Sequence, residues 1–335
     1  MPPDITDIFC CPKCHGDLNR DMPLSAYRCV QCDFLYAFEE GILNLNSEPT
    51  AAALQEMEGH RIIEEQWLDS IPESLREHVI GEAGQRLLFS LPYLPHPDLL
   101  GVPSLARLSE NADDFFELLD RMRIQPGEVI IEIGAHIGWA SHHLAQRGAI
   151  VFATDISHQL AIANAFERSG IAVKCVYADM ESLPVRAGTV DTVFAVAAIH
   201  HAQELSALFD ACARGLRSGG RCVFFSEPVA GRYDAAVKET FGAEEKAVGI
   251  QEHIYTIDEY FEAAQQCGLI PLVLPLNSVL RDSTRRYKLL RSLWRVLLWA
   301  KIGYHPLFTR YIYRYMLRFY PRIPFPRMAL VLVKK

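Results

Sequence analysis

The sequence has 335 residues, of which 50% are hydrophobic and 22% are charged. This composition supplies enough apolar side chains for a sizeable core, so wholesale disorder is excluded, and the length fits one large domain and a small one. The net charge of -8 argues against a protein that coats nucleic acid uniformly. The charge is uneven, because residues 1–280 carry 19 basic and 40 acidic side chains whereas residues 281–335 carry 14 and 1.

The cysteines and the first residues of the sequence indicate a compartment. No basic segment followed by an apolar stretch opens the sequence, and the densest apolar segment, 289–298, is interrupted by Arg291 and Arg295. Five of the nine cysteines lie within residues 10–32. This pattern is typical of a metal site in a reducing compartment, so we expect a cytoplasmic protein that is neither exported nor membrane-spanning.

Two C-x2-C pairs near the N-terminus predict a zinc site. Cys11 and Cys14 form the first pair, and Cys29 and Cys32 form the second after fourteen intervening residues. Four thiolates complete the tetrahedral coordination of Zn2+ and leave no position for water or substrate. The zinc is therefore expected to be structural.

The residues around these pairs resemble a known module. The order C-P-x-C-x-G-x-L, C-x2-C, aromatic strand and turn over residues 7–46 resembles the zinc ribbons that are often fused ahead of methyltransferases. Glu-Gly-Ile-Leu stands where that family usually has Asp-Gly-Ile-Pro. Cys10 and His15 are further candidate ligands beside a set that is already complete. We therefore assign residues 1–46 to a zinc-ribbon module.

Residues 47–112 predict a helical linker or lid. The segment is acidic and helix-prone, and its prolines, which are Pro72, Pro92, Pro95, Pro97 and Pro103, favour short helices over a sheet. Apolar residues at helical spacing within 113–122 predict the helix that leads into the next domain.

A buried strand, a glycine turn and a helix come next, which is the arrangement that binds nucleotides. Residues 128–133 form a near-continuous apolar run, Gly134–Gly138 forms the turn, and a helix is expected from Trp139. Glycines let the backbone approach a ligand and present N–H groups at the positive end of a helix. A second strand, 149–154, ends at Asp155, where a carboxylate can accept both ribose hydroxyls.

Further strands alternate with helices along the chain. They are 174–178, 190–196 and 221–225, and they end near Asp179, His200 and Glu227. The alternation predicts an α/β fold with a doubly wound, mostly parallel seven-stranded sheet of the Rossmann-like kind. The series E-I-G-x-x-x-G, T-D, A-D-M, D-x-V-F-A, I-H-H and L-R-S-G-G resembles class I S-adenosylmethionine-dependent methyltransferases (type 11-like) over residues 113–335.

That resemblance implies S-adenosylmethionine as the cofactor and assigns the residues that bind it. Glu132 and Gly134 would flank the methionine part, Asp155 would hold the ribose, and Asp179 with Met180 would meet the adenine. The full expected set is Glu132, Gly134, Ala135, His136, Gly138, Asp155, Ile156, Asp179, Met180 and Ala197.

One residue departs from the family pattern. His136 stands where the family usually has a glycine, so it either reaches the ligand or only tolerates a relaxed turn. The competing fold is a dinucleotide-binding dehydrogenase, and it is disfavoured because its full G-x-G-x-x-G is absent.

Two histidines are the catalytic candidates. His201, and after it His200, follows a strand on the substrate side, and an imidazole suits a general base for a hydroxyl acceptor. The alternative is that both only form a wall of the cofactor pocket. The candidate acceptor-binding residues are Glu227, Arg232, His253 and Tyr255, for each of which an ordinary loop or capping role is the alternative.

A basic, aromatic insertion is predicted at about 277–326, between a strand at 269–274 and a last, antiparallel edge strand at 328–333. Such a segment suits an anionic membrane surface or an amphiphilic substrate. It also suits single-stranded RNA, or a helical lid that packs on the protein itself.

The sequence thus predicts an S-adenosylmethionine-dependent methyltransferase with a structural Zn2+. The expected acceptor is a small molecule, a glycan or a lipid-linked intermediate, methylated at a hydroxyl. Its expected location is the cytoplasm, with peripheral contact to an anionic membrane as an option and nucleic acid as a less favoured partner. The alternatives are an RNA base methyltransferase and a non-catalytic scaffold that binds the same cofactor.

Overall fold

The computed structural model describes residues 3–21, 24–46, 48–230, 239–276 and 328–335. Its helices are α1 Ile5–Ile8, α2 Ala51–Ser70, α3 Glu73–Arg76, α4 Gly81–Ser90, α5 Pro103–Glu110, α6 Ala112–Met122, α7 Trp139–Gln146, α8 Leu160–Arg168, α9 Leu205–Gly215, α10 Ala243–Ala247 and α11 Ile257–Gln266. Its strands are β1 Leu18–Asp21, β2 Ala26–Cys29, β3 Leu35–Tyr36, β4 Phe38–Glu39, β5 Ile42–Asn44, β6 Val129–Ile133, β7 Ile150–Asp155, β8 Val173–Tyr177, β9 Val190–Val196, β10 Leu216–Phe225, β11 Val229–Ala230, β12 Tyr255–Thr256, β13 Leu269–Pro275 and β14 Met328–Lys334.

The central sheet has the order β13-β14-β10-β9-β6-β7-β8-β5-β4. The strands from β10 to β5 pair in parallel, while β14 and β4 run against their neighbours. Helices cover both faces and bury one apolar cluster on each side. The predicted doubly wound, mostly parallel α/β class is confirmed, and two strands from the N-terminal module extend the expected seven to nine.

The parallel strands form where the sequence is apolar without alternation. In β6 the side chains from Ile130 to Ile133 are all buried, as expected for a strand covered on both faces. In α6 the predicted helical stripe faces inward, because Phe115, Leu118 and Leu119 are fully buried. These local patterns fix the first βα unit, from which the site is built.

The last strand lies inside the described sheet, so its prediction as an edge strand is wrong. β14 is antiparallel, as expected, but it pairs with β10 on one side and with β13 on the other. Proline has no N–H group to donate to a neighbouring strand, and β13 contains Pro271 and Pro275. β13 is therefore better suited to the outer position than β14.

The N-terminal module is joined to the central sheet. β1, β2 and β3 form a small separate sheet, whereas the β4–β5 hairpin pairs with β8 through Leu43↔Val176 and Asn44↔Tyr177. Phe9 forms an isolated bridge with Val185, and its buried ring meets that of Phe152 edge-on at 5.5 Å. The predicted module 1–46 thus shares a core with the α/β domain.

The described residues of the predicted linker, 47–112, form α2 to α5, a short 3-10 turn at Pro97–Gly101 and the first residue of α6. The role of this segment as a linker or lid stays a prediction. The insertion predicted at 277–326 lies outside the described residues, so its membrane, RNA and lid interpretations stay predictions. Among the described residues, no helix is both long and apolar enough to cross a bilayer.

The contact between Phe9 and the sheet makes the stability of the module depend on the α/β domain. We expect Phe9→Ala to lower the free energy of unfolding by about 3–5 kcal/mol, because a fully buried ring is replaced by a cavity. Urea unfolding at a constant zinc concentration measures this value. Leu24→Ala, at a 56% exposed position of the same module, is the control and should change the value by less than about 0.5 kcal/mol. Equal effects of the two substitutions would contradict the shared core.

Candidate active site

A cavity of about 550 Å³ opens at the carboxyl ends of β6, β7, β8 and β9. This edge is where open parallel sheets bind ligands. Nine of the residues predicted to bind the cofactor line it, namely Glu132, Gly134, Ala135, His136, Asp155, Ile156, Asp179, Met180 and Ala197. The opposite wall comes from the predicted linker, through Thr50, Ala52, Ala53, Glu56 and His60.

The turn after β6 requires a left-handed backbone. Gly134 has φ 61°, and a Cβ atom there would lie 2.5 Å from Cβ of Ala198, so only glycine fits. His136 also has a positive φ of 51°, and its backbone N–H donates to Oδ2 of Asp155 over 2.7 Å. His136 therefore adopts the strained conformation that glycine usually takes, while its exposed side chain borders the cavity.

Backbone amides bind both carboxylate oxygens of Asp155. Oδ2 accepts the His136 amide, and Oδ1 accepts the Ser157 amide over 2.7 Å. A carboxylate has about four lone-pair positions, so each oxygen keeps one for a further donor. Asp179, at the end of β8, is fixed in the same way by the Glu181 amide at 2.9 Å and the Ser182 hydroxyl at 3.2 Å. The two carboxylates are thus positioned on one wall of the cavity.

Glu132 is a buried acid at the inner end of the cavity. Its side chain is 2% exposed and accepts a short hydrogen bond from the Ser141 hydroxyl. Burial raises the pKa of Glu132 to about 8, and the nearby Asp155 charge acts in the same direction. This residue is therefore able to hold a proton near neutral pH.

Gly138 is the one predicted cofactor residue that packs away from the cavity. It has φ 73°, and a Cβ atom there would lie 2.5 Å from Cβ of Ala163 in α8. Its glycine identity is explained by the close packing of α7 against α8. Trp139, the next residue, does line the cavity.

The two catalytic candidates occupy different environments. His201 lines the cavity, whereas His200 is buried behind it with Nδ1 2.9 Å from Oε2 of Glu227. Glu227, which is 1% exposed, also accepts the amides of Ala198, Ile199 and His200 at 2.9–3.3 Å. Glu227 therefore fixes the turn that presents His201.

The three described residues among those predicted to bind the acceptor, Glu227, His253 and Tyr255, do not line the cavity. Glu227 lies inside the His200–His201 turn, and the His253 amide donates to the carbonyl oxygen of His200 over 3.1 Å. The Tyr255 hydroxyl donates to the carbonyl oxygen of Ala202 over 2.8 Å, and burial raises the pKa of Tyr255 to about 12. All three residues contact the backbone of the turn that carries His200 and His201. Arg232 lies outside the described residues.

The sequence interpretation missed two polar residues of the cavity wall. Glu56 and His60 lie four residues apart on α2, and both face His201. Burial opposes ionisation of Glu56, but the imidazoles of His201 and His60 and the Gln251 amide outweigh it and lower the pKa of Glu56 to about 2. The available signal was the E-x3-H spacing, which puts two ligand-type side chains on one helix face.

The four predicted zinc ligands, Cys11, Cys14, Cys29 and Cys32, come together in the N-terminal module. Their sulfur atoms all lie within 4.8 Å of one another, with Cys11–Cys32 at 3.6 Å and Cys14–Cys29 at 3.4 Å. Tetrahedral Zn2+ with bonds of about 2.3 Å requires sulfur–sulfur distances of about 3.8 Å. The arrangement fits that ion. Cys10 lies outside the four, with its sulfur 3.7 Å from Nδ1 of His15.

Comparison with known proteins identifies the domain that contains the cavity. Residues 131–224 match the family model described as a methyltransferase domain. This part of the chain is therefore similar to a methyltransferase domain. The predicted family resemblance is confirmed for this part of the sequence.

Two curated relatives match a larger part of the chain. An uncharacterized chloroplastic methyltransferase of Arabidopsis thaliana is 28% identical over 236 residues, which cover 64% of this chain and 60% of the relative. Methyltransferase GfsG of Streptomyces halstedii is 28% identical over 181 residues, which cover 52% of this chain and 63% of the relative. The chain thus spans less than two thirds of the length of either relative.

Solved structures share the fold of the methyltransferase domain. A geranyl diphosphate C-methyltransferase from Streptomyces coelicolor A3(2), in complex with Mg2+, geranyl-S-thiolodiphosphate and S-adenosyl-L-homocysteine, superposes with a TM-score of 0.54 at 17% identity. The match covers 86% of this chain and 100% of that one. At this identity the likeness shows the fold alone.

The raised pKa of Glu132 predicts a pH-dependent stability. Between about pH 4.5 and pH 8 the folded state holds a proton on Glu132 that the unfolded state has lost, so stability falls as the pH rises through this range. We expect the free energy of unfolding of the native protein to fall, relative to Glu132→Gln, by up to about 1.4 kcal/mol per pH unit. Urea unfolding at several pH values measures the difference. Glu82→Gln, at an exposed position, should follow the native protein, and a native profile parallel to that of Glu132→Gln would show that Glu132 is ionised in the fold.

Proposed function

We propose that the chain binds S-adenosylmethionine in this cavity and transfers its methyl group to a small-molecule acceptor. The observation that carries the proposal is the meeting of the glycine turn, Asp155 and Asp179 on one wall of a single cavity. Matches to a methyltransferase domain and to two methyltransferases support it.

The residues present fit each part of such a cofactor. Asp155 has a free lone pair on each oxygen for the two ribose hydroxyls, and Asp179 with Met180 borders the space for the adenine. Gly134 leaves room for the methionine part beside Glu132. When bound, S-adenosylmethionine supplies a methyl group activated by a positively charged sulfur.

The acceptor would enter against the α2 side of the cavity. This wall is formed by small apolar residues, Ala52 and Ala53, and by the polar group of Glu56, His60 and His201. A volume of about 550 Å³ lies in the range of pockets for small molecules. A geranyl diphosphate C-methyltransferase shares the fold, so the fold is compatible with a small-molecule acceptor.

A hydroxyl acceptor would need to lose a proton during transfer. His201 lines the cavity and is held by the turn around Glu227, so it is the better placed of the two predicted bases. Both ring nitrogens of His200 lie near buried carboxylates, Nδ1 2.9 Å from Glu227 and Nε2 3.4 Å from Glu252. His200 would therefore help to position His201 and would not accept the proton itself. The role of His201 as general base stays a prediction.

Removing the Asp155 carboxylate tests the cofactor proposal. We expect Asp155→Asn to weaken S-adenosylmethionine binding about 10- to 100-fold, because hydrogen bonds to a charged group are worth about 1.5–3 kcal/mol. Isothermal titration calorimetry measures the affinity, and circular dichroism checks that the variant is folded. Asp120→Asn, in a surface ion pair with Arg147, is the matched control and should bind as the native protein does. Equal affinity in Asp155→Asn and the control would refute the role of Asp155.

We propose further that Cys11, Cys14, Cys29 and Cys32 hold a structural Zn2+. The spacing of their sulfur atoms and the absence of a fifth ligand among the described residues support a closed site. Tyr36, with its hydroxyl 3.0 Å from the sulfur of Cys11, and the Cys32 amide, 3.5 Å from the sulfur of Cys29, supply donors to the thiolates.

Replacing the first pair of ligands tests the zinc proposal. We expect Cys11→Ser with Cys14→Ser to lose one equivalent of zinc and to lower the thermal midpoint, because the metal and the fold of the module form together. Elemental analysis after dialysis measures the zinc. Cys10→Ser is the adjacent control and should retain it. Loss of zinc from Cys10→Ser, or its retention in the double variant, would assign the ligands differently.

A further inference from the structure

A second cluster of ligand-type side chains, separate from the four cysteines, lies on the cavity wall. Oε1 of Glu56 lies 3.1 Å from Nδ1 of His201 and 3.4 Å from Nε2 of His60. The three ligand atoms all lie within 4.8 Å of one another. We call Glu56, His60 and His201 the α2 cluster.

Two atoms of the α2 cluster are buried without a hydrogen bond. Glu56 is 6% exposed, and neither its Oε1 nor Nδ1 of His201 has a hydrogen-bond partner among the described residues. The two atoms lie 3.1 Å apart, but they do not form a hydrogen bond with each other. A metal ion bound between the two atoms would give each of them a partner in place of the missing hydrogen bond.

The distances fit a metal ion between the ligand atoms. Bonds of about 2.1 Å require neighbouring ligand atoms to lie about 3.0 Å apart in octahedral geometry and about 3.4 Å apart in tetrahedral geometry. The distances from Oε1 of Glu56 to the two imidazole nitrogens, 3.1 and 3.4 Å, lie within this range. Two imidazoles and one carboxylate select a transition-metal ion such as Zn2+, Mn2+ or Fe2+ over Mg2+, which prefers oxygen ligands.

We propose that the α2 cluster binds a divalent transition-metal ion through Glu56, His60 and His201. This site is distinct from the four cysteines, and it does not depend on whether the proposed methyl transfer is correct. It replaces the general-base role of His201, because Nδ1 cannot bind a metal and accept a proton at once.

Neighbouring groups hold the α2 cluster in this arrangement. The Gln251 amide donates to Oε2 of Glu56 over 2.5 Å, which leaves Oε1 to point at the histidines. Oε1 of Glu252 lies 3.8 Å from Nε2 of His201, on the side of the ring opposite to Glu56. A carboxylate behind a metal-bound imidazole is the usual arrangement that orients such a ligand.

The fold explains why these residues meet. Glu56 and His60 lie one helical turn apart on α2, so they share a face. His201 comes from the turn after β9, which Glu227 fixes through three backbone amides. A metal would therefore join the helix that covers the cavity to the sheet that carries the glycine turn.

Three protein ligands leave open coordination positions, and all three side chains line the cavity. An open position on a transition-metal ion takes water or an anionic oxygen of a ligand. The chemical class that this site would take is therefore an oxygen donor such as an alkoxide, an enolate or a phosphate.

Cobalt titration of the full-length protein tests the site. Co2+ is added to protein that retains zinc on its cysteines, and absorption spectra report both binding and ligand type, because thiolate ligands give an intense charge-transfer band and nitrogen and oxygen ligands do not. We expect saturation at one Co2+ per chain without the thiolate band. Glu56→Gln and His201→Gln should each bind at least about tenfold more weakly.

His158→Gln is the matched control, because His158 also pairs with a carboxylate of α2, Glu64, at 3.0 Å but lies outside the cluster. It should bind Co2+ as the native protein does. Circular dichroism and thermal midpoints confirm that each variant is folded. Absence of saturable binding in the native protein, or equal affinity in Glu56→Gln, His201→Gln and the control, would overturn the proposal. In that case the cluster is an ion pair and His201 remains available as a base.

Discussion

The hydrogen bond from the His136 amide to Asp155 joins the turn after the first parallel strand to the end of the second. It forms because β6 and β7 pair in register up to Ile133↔Thr154, which brings the two strand ends to the same height. The bond holds His136 in a left-handed conformation and turns the Asp155 carboxylate toward the cavity. Every proposal about the cofactor rests on this geometry, since a carboxylate already fixed by two backbone amides needs no reordering when a ligand arrives.

Much of the fold followed from local patterns. The buried strands β6 to β9 are mostly apolar and do not alternate between apolar and polar residues. The start of α11 is likewise local, because Thr256 and Glu259 form a reciprocal capping box. The cavity wall that contains Asp155 and Asp179 was predictable for a related reason, because the ends of parallel strands must meet at one edge of the sheet. Residues such as Asp155 and Asp179 are located by the strand that precedes them.

The opposite wall was not predictable in this way. Glu56 meets Gln251 and His201 only because α2 lies across the cavity, and no local pattern encodes contacts between residues so distant in sequence. Glu227 illustrates the opposite error. Its place at a strand end suggested a ligand-binding role, but a carboxylate with 1% exposure that accepts three amides is occupied by the backbone.

The N-terminal module also contributes to the position of the part of the cavity wall that carries Asp179. The segment that carries Asp179 begins at the end of β8, which pairs with β5 of the module, and it reaches Val185, which pairs with Phe9. Both ends of this segment are therefore fixed by residues of the module. A structural zinc would act on the cavity through these two contacts, although its ligands do not touch the cavity.

The short β4–β5 hairpin protects one edge of the central sheet from pairing with another copy of the chain. An uncovered strand presents free N–H and C=O groups that can template aggregation between chains. At one margin of the described sheet β5 covers β8, and the outermost strand, β4, has only two residues, followed by Glu40. At the other margin β13 carries two prolines. A truncation that keeps only the α/β domain would have to retain this hairpin, because cutting after it would leave the edge of β8 open to self-association.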